Sequence, residues 1–252
     1  MKHSYKLIIA YDGTDYHGWQ RQKNVRSVDH VIRQTFLRSF FQKELLLVGA
    51  SRTDAGVHTR GQVVRIRTGL ELSAAKLAYV LNRFLPHDIT VLACTKVGPD
   101  FHPQHDVVRK TYSYTFALAK LSPMLARYCY AFPYKLDLDL LSKALQVFVG
   151  THDFRFFCKE ETMRTTVRMI ESISLEQSAC KQLYTIRVIG PSFLRYMIRR
   201  IVGASFAVAS CPDVSIDDLQ KQLAGLSQCV KLLITAPAKG LCLESIEYQN
   251  GE

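Results

Sequence analysis

The chain has 252 residues, 48% of them apolar and 22% charged, with a formal net charge of +11. That composition excludes a disordered chain, and so large a surplus of lysine and arginine favours polyanionic partners, because neutralising phosphates releases their counterions. No run of about 18 consecutive apolar residues occurs, and the first apolar stretch, Leu7 to Ala10, is too short for a secretory segment, so neither a membrane span nor export is expected.

In chain order, a strand is expected from Tyr5 to Tyr11, followed by a polar loop rich in aromatics. A helix from about Val28 to Phe41, a strand from Leu45 to Val48 and an Arg-Thr-Asp turn come next. Gln62 to Arg67 alternates like a strand, Ser73 caps a helix running to Arg83, and Ile89 to Val97 is a further strand. Residues 100 to 110 read as a crossover. The second half repeats the order, opening with the alternating strand "KTYSYTFAL" and an irregular stretch around Pro123 and Pro133. Leu138, Leu141, Leu145 and Phe148 give a helix its apolar stripe. Strands at Thr166 to Leu175 and Leu183 to Ile189 lead to a long helix from about Phe193 to Ser210. A short helix at Ile216 to Leu223 and a strand at Cys242 to Tyr248 close the chain.

The expected fold is therefore α+β: two similar α/β halves, residues 1–105 and 106–252, sharing a mixed, mainly antiparallel sheet with helices on one face. Seven cysteines (94, 129, 158, 180, 211, 229 and 242) are scattered, with no C-x-x-C pair, which speaks for a reducing cytoplasmic setting and against a disulfide framework or a zinc site.

Four stretches carry candidate chemistry. In "GASRTDAGVHTRGQVVRI" the turn can pair Arg52 with Asp54, and a guanidinium beside an aspartate keeps it ionised, ready to act as a nucleophile or base without a metal. A purely structural Arg–Asp bridge is the alternative. In "YDGTDYHGWQRQ" Tyr16, His17, Trp19, Gln20 and Arg21 interleave stacking faces with donors, as single-stranded nucleic acid requires, although the only tryptophan of the chain also suits a core. In "RKTYSYTF" Tyr112 and Tyr114 share a strand face, either stacking on a base or packing inward. In "FLRYMIRRIVG" Arg195 and Arg199 stand at i, i+4, away from the Phe193, Met197, Ile201 stripe, and two such arginines call for a phosphate or a carboxylate. No phosphate-binding glycine loop, dinucleotide fingerprint, H-E-x-x-H or G-x-S-x-G occurs, so a cofactor-free basic protein is expected.

Together with "LNRFLPHDI", "DFHP", "THDFRFF" and "KGLCLESIEY", these stretches resemble, in order and over nearly the full chain, the TruA type of tRNA pseudouridine synthase, which modifies the anticodon stem-loop. The resemblance implies an isomerase that turns uridine into pseudouridine at tRNA positions 38, 39 and 40, using neither cofactor nor metal. It implies a cytoplasmic homodimer in which two subunits hold one tRNA in a basic cleft on the sheet face opposite the helices. Asp54 would then be the catalytic carboxylate, attacking the base or the ribose or starting an elimination. Arg52 would help flip the target nucleotide and hold its phosphate, Tyr112 would pack against the base, and Arg199 would pair with the catalytic carboxylate. An RNA-binding or chaperone module without turnover is the alternative. The chain departs from the family pattern at Ser51, where glycine is usual, at Asp29-His30, where the helix usually opens with glutamine, and at Pro103-Gln104-His105, where an arginine is usual.

Overall fold

The computed structural model describes residues 3–42, 44–159, 165–179 and 183–249. Its elements are β1 (His3–Tyr11), α1 (Val28–Ser39), β2 (Leu46–Gly49), β3 (His58–Thr68), α2 (Ala74–Phe84), β4 (Ile89–Val97), β5 (Val107–Ala117) and β6 (Tyr130–Ala131), followed by α3 (Leu138–Gln146), β7 (Gly150–Asp153), β8 (Val167–Ile170), β9 (Ser172–Gln177), β10 (Leu183–Gly190), α4 (Met197–Ser210), α5 (Ile216–Leu223) and β11 (Leu241–Tyr248). The chain forms two compact units, Met1–Val108 with Cys242–Glu252, and Arg109–Leu241. Both are mixtures of helices with mainly antiparallel strands, the α+β architecture that the alternating patterns predict. Among the described residues no helix is long and apolar enough to cross a membrane.

In the first unit β1 lies between β4 and β3, antiparallel to both, so that Leu7 faces Val64 on one side and Cys94 on the other. Strand alternation decides what each face does. Tyr5, Leu7, Ile9 and Tyr11 of β1 join Val64 and Ile66 of β3 and pack against Val28, Ile32 and Phe36 of α1 and Leu77 and Leu81 of α2. The intervening residues face the other way, where Ile8, Val63 and Ala50 meet Phe101, Val107, Ile246 and Tyr248. Buried side chains of this size each contribute about 1.5–3 kcal/mol, so the helix-covered face dominates the stability of the unit. The strand that completes β3's far side is β11, which pairs with it in parallel, Cys242 opposite His58.

In the second unit β10 lies between β5 and β9, antiparallel to both. Tyr114 and Phe116 of β5 point to the helical side and meet Phe206 of α4 edge-on. The helices begin where the sequence supplies caps: Ser73 accepts from Lys76 N–H, Asp137 from Leu140 N–H, and Ser215 and Asp218 form a reciprocal capping box.

Three expectations change. The single strand expected at Thr166 to Leu175 is two, since β8 pairs with β7 whereas β9 pairs with β10, and Glu171 between them gives its N–H to Ile189. β6 and β7 have no alternating apolar pattern to announce them. The long helix starts at Met197, not Phe193, because Tyr196 is left-handed, with φ of 63°.

Candidate functional site

The Arg-Thr-Asp segment follows β2 and is held by its backbone and by buried side chains on both sides. Ala50 N–H donates to Val63 O. The Gln62 amide, fully buried, accepts from Ser51 N–H at 3.0 Å and donates back to Ser51 O at 2.6 Å. Thr53 exchanges a 2.7 Å hydroxyl bond with Tyr11, and its carbonyl accepts from Trp19 N–H. Gly56 N–H reaches Tyr16 O, and Val57 N–H turns back onto Asp54 O. The loop from Asp12 to Trp19 is thus laced along the Arg-Thr-Asp segment. Gly18 makes that closeness possible: its φ is 84°, and a Cβ there would sit 2.6 Å from Thr53 O and 3.1 Å from the Asp54 carbonyl carbon. The result is a pinned segment whose Ser51 and Thr53 point inward, while Arg52 is exposed and Asp54 half-buried.

This geometry overturns the Arg52–Asp54 bridge. Arg52 makes no ion pair or hydrogen bond among the described residues, the segment being clamped at Ser51 and Thr53 on either side of it. Arg52 instead lines a pocket of about 360 Å³ together with Arg21, Arg33, Asp29, Gln104 and the edge of Trp19. Asp29 and Arg33 form an i, i+4 ion pair at 3.1 Å, and Arg33 also donates to Leu45 O and Leu47 O at 2.5 and 3.3 Å. Gln104 donates to Gly49 O at 2.8 Å. Gly49 is required where it stands, since a Cβ would press 2.6 Å into the Trp19 ring. Two of the departures from the resembled pattern, Asp29 and Gln104, therefore meet in one pocket.

The aromatic loop divides by chemistry. Tyr16 and Trp19 are buried, Trp19 stacked on Tyr11 at 6.4 Å, so they are core and not a platform for bases. The polar members Gln20 and Arg21 are the exposed ones. Tyr16 gives its hydroxyl hydrogen to Asp88 at 2.5 Å and lies under the Arg26 guanidinium. Burial and this carboxylate raise its pKa far above the ordinary phenol. Sequence reading missed His58, which is buried, lies 3.1 Å from Asp12 and accepts from Gly13 N–H. It fastens the start of one loop to the end of the other. The signal was present in the "YDG" and "GVH" words, but nothing in either names its partner.

In the second unit Tyr112 is 6% exposed and meets Phe193 edge-on at 5.3 Å. Tyr114 is buried outright, its hydroxyl donating to Pro237 O, with burial raising its pKa well beyond the usual phenol range. Arg195 and Arg199 do not share a helical face, because the left-handed Tyr196 intervenes before the helix begins. They meet by another route: both guanidiniums lie over the Tyr196 ring, at 5.4 and 5.0 Å from its centroid. Arg199 Nε also donates to Ala236 O at 2.7 Å. Holding a non-glycine residue in this conformation costs on the order of 1–3 kcal/mol, and the two cation–π contacts, roughly 0.5–1 kcal/mol each, help to offset it.

Comparison with known proteins places the chain. The family model described as tRNA pseudouridine synthase matches residues 7–106 and 144–249. The tRNA pseudouridine synthase A of Thermodesulfovibrio yellowstonii is 36% identical, covering 96% of this chain and 98% of that protein. Those of Citrifermentans bemidjiense and Clostridium kluyveri are 38% and 35% identical, covering 97% and 96% of this chain and 97% and 98% of their own lengths. With the pinned Arg-Thr-Asp segment and its exposed arginine in place, these matches over nearly the whole length show that the chain belongs to the tRNA pseudouridine synthase family and is an isomerase.

Proposed function

We propose that the protein converts uridine to pseudouridine at positions 38, 39 and 40 of the tRNA anticodon stem-loop, with Asp54 as the catalytic carboxylate. The reaction detaches uracil from C1′ at N1, turns it, and rejoins it through C5, with the C5 hydrogen lost to solvent as a proton and N1 taking up a proton in its place. A carboxylate can serve as nucleophile on base or ribose, or as the base that starts elimination. The observation that carries the reading is the clamped segment: backbone and buried side-chain contacts at Ala50, Ser51, Thr53, Gly56 and Val57 fix the main chain around a half-buried Asp54. Such fixed placement is what covalent or proton-transfer catalysis needs. Arg52, exposed and without an ion-pair or hydrogen-bond partner among the described residues, suits a phosphate beside a flipped nucleotide. Tyr112 packs against the target base and Arg199 serves the catalytic carboxylate. The enzyme works as a cytoplasmic homodimer without cofactor or metal.

The test is tritium release from an unmodified tRNA transcript labelled at uridine C5. Wild-type protein releases tritium to water; Asp54→Asn releases none while its tRNA affinity stays within about a few-fold, since uridine binding does not depend on the charge being spent in the chemistry. Turnover by the variant would remove Asp54 from the mechanism. Binding without release by the wild type would return the RNA-binding module.

A further inference from the structure

We propose that the pocket beside the Arg-Thr-Asp segment is a second RNA subsite, which grips the phosphodiester strand next to the target nucleotide through Arg21 and Arg52 and takes one neighbouring nucleotide. It rests on the function proposed above. The pocket's volume, about 360 Å³, is at the lower end of the roughly 300–1,000 Å³ range of small-ligand sites, enough for a nucleotide.

Charge decides the class of ligand. Of the three guanidiniums lining the pocket, that of Arg33 is spent on Asp29 and two carbonyls, so it forms a wall and not a docking group. Arg21 and Arg52 are exposed and have no hydrogen-bond or ion-pair partner among the described residues. Two uncompensated guanidiniums on one concave surface favour an anion with several oxygens, which the planar fork can grip at two points.

The neighbourhood decides between a small anion and a strand. Arg21 lines two further hollows, one with Lys23 and His30, the other with Arg67 but also with the Glu44 carboxylate, so the first is the one that suits an anion. Lys23 likewise is exposed and has no ion pair among the described residues. A free phosphate could occupy one of these hollows; only a strand with successive phosphates engages Arg52, Arg21 and Lys23 together. The polar lining suits a base beside the backbone. Gln104 spends its Nε2 on Gly49 O, and its Oε1 can accept from a base N–H.

The test uses the full protein and the same labelled transcript, with filter binding of tRNA measured in parallel. Arg21→Ala raises KM about tenfold, leaves kcat within twofold, and lowers the slope of log binding constant against log salt by about one, as the loss of one phosphate contact requires. Gln104→Glu, the same size but negative, also raises KM. Lys76→Ala, which removes an exposed charge from α2, changes neither quantity. Thermal melting confirms that each variant is folded. Wild-type KM and salt slope in both Arg21→Ala and Gln104→Glu would overturn the subsite, as would a Lys76→Ala effect as large as that of Arg21→Ala. If the wild type binds tRNA but releases no tritium, the catalytic reading fails, and the filter-binding slopes still decide the subsite.

Discussion

Arg52 in the first unit and Arg199 in the second are held by opposite means. At Arg52 the structure fixes the backbone: the residues on either side are clamped by Gln62, Tyr11 and Trp19, and the guanidinium is left exposed. At Arg199 the structure fixes the side chain: Nε is tied to Ala236 O and the guanidinium lies over the ring of Tyr196. A pinned backbone with a free head can follow a mobile phosphate through a flipping motion. A pinned head supplies a charge in one place without reorganisation, which is how electrostatic groups contribute most to a transition state.

The contrast can be broken most severely at the fixed head. Arg199→Lys loses both the Nε bond and the planar stack, and kcat should fall about a hundredfold at near-wild-type KM. Arg52→Lys keeps a free cation and should lose only about three- to tenfold, mostly in kcat/KM. Steady-state kinetics on the two variants decides it, and equal losses would erase the distinction.

Breaking the backbone clamp is the next largest change. Gln62→Ala strands the buried Ser51 N–H and should cost about 2–3 kcal/mol of stability by denaturant titration, together with activity, because the clamp is structural before it is chemical. Tyr196 separates conformation from stacking. Tyr196→Gly relaxes the left-handed backbone but removes the ring, so kcat should fall about tenfold with stability held or raised, while Tyr196→Phe restores kcat. A Tyr196→Gly variant as active as the wild type would show that the ring positions nothing.

The second unit should also show a pH dependence. Burial pulls the Lys110 ammonium down to about 8. At this site the unfolded chain, with a lysine pKa of about 10.4, then binds more protons than the folded one between these values, so the contribution of Lys110 to stability should rise with pH from about 8 to 10.4. The Cys94, Cys129 and Cys242 thiols, which burial pushes up, have the opposite slope. The melting-temperature difference between wild type and Lys110→Met should shift in favour of the wild type as pH rises across that window, and a difference independent of pH would remove Lys110 from the account.

Much of this was legible in the residues. The period-2 and period-3.6 patterns place the long elements because each buries one face, and Ser73 marks a helix start by its own chemistry. What was not legible was pairing at a distance. Nothing local tells that Gln62 clamps Ser51, or that Trp19 turns inward while Arg21 two residues on faces water. The i, i+4 spacing of Arg195 and Arg199 suggested a shared helical face, and one left-handed residue removed it while supplying a ring that joins them. Short strands such as Tyr130–Ala131 exist only because a neighbour pairs with them.

The pairing of β11 with β3 has a consequence for the order of assembly. Thr59, five residues after Asp54, gives its hydroxyl hydrogen to Leu243 O, and Tyr248 closes the face opposite the helices by donating to Pro103 O. A ribosome delivers residues 1–108 long before 242–249, so the first unit waits, one strand short, while the whole second unit is made. Its last strand arrives after a separation of more than 130 residues, the kind of distant closure that slows folding and leaves a sheet edge open meanwhile. The β3 strand that follows the Arg-Thr-Asp segment thus acquires its last partner only after the second unit has been made, and the first unit is complete no earlier.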